Sequence, residues 1–354
     1  MPLQSRYTIS IPNVSLPTYV FTSPKAVLSA EPVFVDTRAP KTCYLTYHEY
    51  RLWAQRLALG LQLAGLQPGD RVLLFSGNTL FFPVFLIGVI MAGGIFTGAN
   101  PTYTVRELAY QLKDSAPRYL IAAEGSWETV LEAASSVGMS EDRIFAFDSG
   151  IETFEGRGTG IGNAKHWTAL LASLQQGGKF EWEDLKTGEQ LNRTIVLNYS
   201  SGTTGLPKGV EITHRNYVSH TEQTIYMAKT DPSYTVHNAR SRWLCLLPMY
   251  HAAGQGIFCV GAPVRGIPVY IMPKFDFPKM LECVQNFRIT DLHLVPPIVL
   301  AMVNNPATTS QYDLSSVERV GTGAAPLGGD ICAELEKLWP EGRINMKQAW
   351  GMTE

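Results

Sequence analysis

FFPVFLIGVIMAGGIFTG, from Phe81 to Gly98, carries no charged side chain and is nearly long enough to cross a bilayer. How this stretch is read decides the fold. Pro83 stands near its start, Gly93-Gly94 interrupts it, and Asn78 and Asn100-Pro101 bound it. Proline at a helix start and paired glycines past its end are the punctuation of a short helix and a turn. The stretch therefore reads as a buried helix, a turn and a strand, in preference to a membrane span.

The same alternation continues on both sides. Tyr50 to Ala64 has apolar residues at helical spacing and stops at Gly65, a C-terminal cap, before Pro68-Gly69-Asp70 turns into a strand from Arg71 to Phe75. A helix over Val84 to Met91, a strand near Ile95, a helix from Val105 to Asp114 and a strand from Tyr119 to Ala123 follow. Such alternation predicts an α/β fold with a mainly parallel sheet covered by helices on both faces. From Gly150 to Asn192 the composition shifts to Gly, Lys, Glu and Gln, which reads as a surface excursion, with subdomains of roughly 1–190 and 191–354 around it. Later strands are expected at Thr194 to Tyr199, Arg242 to Leu247, Val269 to Ile271, His293 to Val295 and Arg319 to Gly323.

The bulk properties narrow the class. A chain of 354 residues with 45% apolar and 17% charged residues is globular, not disordered. The net charge of −2 is spread along the chain without a basic stripe, so nucleic acid is not an expected partner. Cys43, Cys245, Cys259, Cys283 and Cys332 show no C-x-x-C spacing, which argues for neither a disulfide frame nor a zinc knuckle and favours a reducing, intracellular setting. Met1 to Val20 contains Pro2, Pro12 and Pro17 and no basic segment leading into an apolar run, so it does not read as a secretory signal. A soluble protein without stable membrane insertion is expected.

The most informative segment for chemistry is YSSGTTGLPKGV, Tyr199 to Val210. Glycines permit close backbone approach, hydroxyls donate hydrogen bonds and Lys208 supplies positive charge, so the loop can wrap a polyphosphate. It is not the usual NTPase loop, because Pro207 precedes the lysine and Gly209 follows it.

This loop resembles the nucleotide signature of the adenylate-forming superfamily, which contains acyl-CoA synthetases, firefly luciferase and adenylation domains of peptide synthetases. LPMYHAAG (Leu247 to Gly254), GTGAAPLG (Gly321 to Gly328) and QAWGMTE (Gln348 to Glu354) are similar to later family segments in the same order. Within the superfamily, SSGTTGLPKGV, VPPIVLAM and GAAPLG are most similar to 4-coumarate:CoA ligases and their fungal relatives. The resemblance implies two mainly parallel sheets flanked by helices in a layered αβαβα arrangement, plus a smaller β-rich subdomain. It also implies a reaction in which a carboxylate attacks the α phosphorus of ATP, with Mg²⁺, to give an acyl-adenylate and pyrophosphate, after which the thiol of coenzyme A displaces AMP.

Residue by residue, the resemblance assigns Ser200, Ser201, Gly202, Thr203, Thr204, Gly205 and Lys208 to the β and γ phosphates, Thr353 to the α phosphate, and Thr204 and Glu354 to Mg²⁺. It assigns Gly323, Ala324, Ala325 and Pro326 to a slot for adenine, with Trp350 on its other face, and counts Gln348, Ala349 and Gly351 among the nucleotide-binding residues. His251 lies at the acid's carboxylate, in a pocket bounded by Tyr250, Ala252, Ala253, Gly256, Val295, Thr322 and Gly323. Ala252-Ala253 replaces the Ile-Tyr common in plant hydroxycinnamate ligases, which points to a different or longer acid, and Lys274 matches a position facing coenzyme A. Ala349 replaces a glycine usual before the aromatic residue.

The family's small C-terminal domain lies beyond the last of these segments, so the chain reads as the N-terminal domain, able to bind substrates with little turnover. Two further readings stay open: a nucleotide- or acyl-binding remnant without catalysis, and an adenylation domain that loads a carrier protein. Relatives in fungi place such enzymes in the cytoplasm or the peroxisome.

Overall fold

The apolar run at Phe81 to Gly98 resolves into the helix Phe82–Met91, all of whose side chains are buried within the protein, and a strand. The computed structural model describes residues 5, 7–22, 30–148, 150–200 and 206–354. Among them the strands are β1 (Pro32–Asp36), β2 (Tyr44–Thr46), β3 (Arg71–Phe75), β4 (Ile95–Ala99), β5 (Tyr119–Ala123), β6 (Ile144–Phe147), β7 (Thr194–Ser200), β8 (Lys208–Thr213), β9 (Trp243–Cys245), β10 (Val269–Ile271), β11 (Asp291–Leu294), β12 (Arg319–Thr322) and β13 (Lys347–Gln348).

They form two sheets, ordered β6-β5-β3-β4-β7-β8 and β13-β12-β11-β9-β10-β1-β2. Every pairing is parallel except β7 with β8 and β1 with β2, each at one edge of its sheet. The sheets exchange segments of the chain: β7 and β8 join the first, whereas β1 and β2 join the second.

Strand alternation sorts the core into layers, because successive side chains point to opposite faces. Val72 and Leu74 face the largest cluster, together with Trp243 and Cys245 of the other sheet and the helices Tyr47–Leu63 and Phe82–Met91. Leu73 and Phe75 face outward onto Leu108, Leu112, Val130 and Ala133. Leu244 and Leu246 face outward on the second sheet, onto Met280, Val284, Val299 and Leu335. The order is thus helix, sheet, helix, sheet, helix, as the resemblance implied. The expected separate β-rich unit does not appear, since every strand among the described residues belongs to one of the two sheets.

Local signals explain the boundaries. The helix Tyr47–Leu63 starts earlier than its apolar spacing suggests, because Thr46 and Glu49 form a reciprocal capping box. Gly65 has φ 95°, the left-handed conformation that its place after the helix demands. β11 begins at Asp291 and ends before Val295, which caps the helix Pro296–Asn304 instead. The stretch from Gly150 to Asn192 is less of a surface excursion than its composition suggests. Trp167 is fully buried, with its ring 5.1 Å from Phe81 and 5.0 Å from Phe85, so an aromatic anchor pins the segment to the core.

A buried imidazole ties the helix Tyr234–Arg240 to the second sheet. His237 Nδ1 lies 2.7 Å from Glu318 and Nε2 lies 3.0 Å from Asp291, while Arg240 also reaches Glu318 and Arg319 pairs with Asp231. The hydrogen bond to Asp291, reinforced by Glu318, holds this imidazole above its usual value against the opposing effect of burial. A raised folded-state value means that the contribution to stability is complete below the unfolded value of about 6.5 and is lost as pH rises through the folded one. Thermal melts from pH 6 to pH 9 are expected to show a fall in Tm that His237→Gln reduces; an equal fall in both proteins would remove His237 as its source.

Candidate active site

In parallel α/β sheets, ligands gather at the carboxyl ends of the strands, and most of the candidate residues occupy those ends here. Leu247 to His251 follow β9, Val295 follows β11, Gly323 to Pro326 follow β12, Ala349 to Glu354 follow β13, and Ser200 closes β7. Two contacts bring the sheets together at this edge. The Asn78 side chain, beyond β3, donates to Leu247 O (3.0 Å) and accepts from Met249 N–H (2.8 Å). Gly98 of β4 faces Tyr250 so closely that a Cβ there would lie 3.2 Å from both Cα and Cβ of the tyrosine.

Tyr250 and His251 therefore stand at a fixed junction, their rings 4.8 Å apart. His251 N–H donates to Pro248 O and its carbonyl accepts from Gln255 N–H at 3.0 Å. Partial burial pushes the imidazole below its usual value, although the residue as a whole remains exposed. A neutral imidazole here can donate to a carboxylate without forming an ion pair with it. Ala252 and Ala253 follow at the start of the next turn, and Gly256 is buried beyond them.

On the nucleotide side, Ser200 Oγ donates to Glu354 Oε1 at 3.2 Å, joining segments separated by 154 positions. Lys208 lies directly opposite Ser200 in the β7–β8 register and is exposed. Two tyrosines splint this hairpin to the helix Val105–Ser115: Tyr110 donates to Pro207 O (2.9 Å) and Tyr199 donates to Asp114 (2.5 Å). Ser201, Gly202, Thr203, Thr204 and Gly205 lie outside the described residues.

The turn after β12 is held by Gly323 N–H to Leu294 O and by Ala349 N–H to Thr322 O (2.8 Å). Ala324 has φ 73°, a left-handed conformation that costs an L-residue energy. Ala324, Ala325 and Pro326 are exposed, and the Gln348 side chain bonds both the carbonyl and the N–H of Leu327. Trp350 is 87% exposed, so its indole lies open to solvent. Gly351 is exposed and Thr353 half-buried. Thr322 Oγ1 is buried and has no hydrogen-bond partner among the described residues, and Val295 is half-buried near the same strand ends. Lys274 is exposed just after β10. A cavity of about 900 Å³ lies elsewhere, at the amino ends of the second sheet, where Arg240, Arg242, Arg288 and Glu318 line it.

Sequence reading took Asn78 only as the end of an apolar run and did not single out Tyr110. The adjacent Gly77, at the end of a strand, is the signal for Asn78; Tyr110 carries none, because one tyrosine on a helix face looks like any other.

The sequence profile of AMP-binding enzymes matches residues 26–354. The chain belongs to the AMP-binding enzyme family. It is 34% identical to phenylacetyl-CoA ligase epaB of Aspergillus niger over 100% of this chain and 63% of the relative. It is 33% identical to acyl-CoA ligase azaF of the same species over 100% and 64%, and 32% identical to 4-coumarate–CoA ligase 2 of Nicotiana tabacum over 98% and 59%. Among solved structures, the luciferase-like enzyme of the mealworm Zophobas morio superposes with a TM-score of 0.80 at 23% identity, covering 98% of this chain and 74% of that one. A long-chain-fatty-acid-CoA ligase of Archaeoglobus fulgidus also gives 0.80, at 22% identity over 99% and 67%. These two structures share the fold; the chain spans 63% of the length of the first of the curated relatives.

Removing the Asn78 clamp leaves the Met249 N–H and the Leu247 carbonyl without their partner. Asn78→Ala is expected to cost about 2–4 kcal/mol, the penalty for two unsatisfied groups, whereas Asn78→Asp, which sets a buried carboxylate oxygen against the Leu247 carbonyl, costs more. Chemical denaturation measures both, and equal stabilities would refute the clamp.

Proposed function

We propose that the chain carries the nucleotide and acid sites of an ATP-dependent acid–thiol ligase, in which a carboxylate is converted to an acyl-adenylate and then to a coenzyme A thioester. The observation that carries this reading is the Ser200–Glu354 hydrogen bond: it joins the strand leading into the hydroxyl-rich loop to the carboxylate of the last motif.

A carboxylate oxygen is a weak nucleophile, so rate must come from alignment and from stabilising charge on the departing pyrophosphate. Ser200 to Gly205 and Lys208 are assigned to the β and γ phosphates, and Thr353 to the α phosphate. His251, whose imidazole burial holds below its usual value, donates to the acid and orients it. Gly323 to Pro326 present a flat, small-residue surface to adenine, which Trp350 covers. Glu354, with the hydroxyl of Thr204, offers the hard oxygen ligands that Mg²⁺ prefers, and the ion would neutralise phosphate charge when bound. In the second half-reaction the coenzyme A thiol attacks the acyl carbon and AMP leaves, with Lys274 on the incoming side.

Relatives support the acid class. One is a phenylacetyl-CoA ligase, and Ala252-Ala253 leave room where larger residues would narrow the pocket. An aromatic or a longer acyl acid fits this reading. No helix among the described residues is long and apolar enough to cross a membrane. A 30%-identical relative is the peroxisomal OPC-8:0-CoA ligase 1 of Arabidopsis thaliana, and cytoplasm or peroxisome is the setting we assign.

Lys208→Ala and Glu354→Ala are each expected to weaken Mg-ATP binding by about 1–3 kcal/mol, the scale of a lost charge-assisted contact. Calorimetric titration reads the change. Unaltered affinity in both variants would overturn the assignment.

A further inference from the structure

Behind His251 the chain enters a π-helical turn, Gln255–Gly261. Such turns are rare, bond through i→i+5 pairs, and need something to hold their register. What holds this one is a buried polar trio. Asn198 Nδ2 donates to Gln255 Oε1 (3.1 Å), Gln255 Nε2 donates back to Asn198 Oδ1 (3.0 Å), and Tyr217 Oη donates to Gln255 Oε1 (2.6 Å). Gln255 is 0% exposed, Asn198 1% and Tyr217 5%, and Val218, Phe258, Cys259 and Val260 belong to the surrounding apolar cluster. Buried amides cost free energy unless bonded, and apolar replacements of the same volume often pack as well. The return on a fully bonded network is fixed geometry.

Each member sits on an element that touches the site. Asn198 and Ser200 are two apart on β7, so they share a face: one reaches Gln255 and the other Glu354. Tyr217 lies on the helix His214–Lys229, one turn before His220. The residue after Gln255 is Gly256, where a Cβ would meet nothing nearer than the His220 ring at 3.8 Å. The glycine therefore leaves a gap of about one methyl group between this helix and the turn. Relaxing the turn to ordinary i→i+4 bonding would rotate the residues beyond it by about 100°, one residue's share of an α-helical turn, and close or reshape that gap.

We propose that Gln255 is a positioning residue: held between Asn198 and Tyr217, it locks the π-helical register of the turn and so sets the shape of the acid pocket. This rests on the ligase reading for the meaning of the pocket, but the register itself can be tested without it. Gln255→Met keeps length and removes the bonds; Tyr217→Phe removes only one. A crystal structure of Gln255→Met is expected to show residues 255–261 in α-helical register. With stable phenylacetyl- and octanoyl-sulfamoyl adenosines as probes, its Kd ratio between the two should shift about tenfold or more, while Mg-ATP affinity stays within about twofold. Tyr217→Phe should shift the ratio in the same direction by less. An unchanged register, or a uniform loss of affinity for Mg-ATP and both probes, overturns the proposal. A wild-type chain that binds neither probe sinks the ligase reading instead, and the register alone then decides.

Discussion

A helix with no polar face has to be enclosed on every side, and Phe82–Met91 is such a helix. One sheet can cover only one side of it, so a second sheet and a second helix are required to finish the enclosure. Tyr47–Leu63 and the inward faces of both sheets supply it, with Val72 and Leu74 on one side and Trp243 and Cys245 on the other. Burial at about 25 cal/mol per Å² of apolar surface makes this central layer the dominant stabilising term. The outer helices have only one face to hide and pack against single sheets.

Two sheets held against a common layer bring their carboxyl edges to one place. Loops there are free to diverge in sequence, yet the few contacts across the junction are specific: the Asn78 amide on the Leu247–Met249 backbone, and the bare backbone of Gly98 against Tyr250. The histidine and the hydroxyl-rich hairpin come from different sheets, so their relative placement depends on these contacts more than on either strand.

Much of this was legible in the sequence. Helix-strand alternation and the punctuation at Pro83 and Gly93-Gly94 foretold the buried helix and the parallel strands, because periodicity and breakers act locally. The expected strands at Thr194 to Tyr199, Arg242 to Leu247 and Arg319 to Gly323 put Ser200, His251 and Gly323 at or just beyond strand ends, whereas β13, which precedes Glu354, was not expected. Less legible was whatever depends on distant pairing: β1 and β2 joining the second sheet, Trp167 anchoring a polar-looking stretch, and the mutual bonding of Asn198, Tyr217 and Gln255. None of these leaves a periodic trace, since each partner is an ordinary residue for its own element. The left-handed Ala324 was hidden for the opposite reason, as alanine is a residue from which no strain is expected.

The exchange of strands between the sheets has a cost during synthesis. β1 finds its parallel neighbour only when Val269 has been made, since Phe34 pairs with that residue. At about 5–20 residues per second, the hairpin of β1 and β2 waits on the order of ten seconds or more with one edge bare. Until then Phe34 and Val33 have no sheet to join, and an unpaired apolar edge is an invitation to aggregation. The order of synthesis thus keeps one strand edge bare until β10 has emerged.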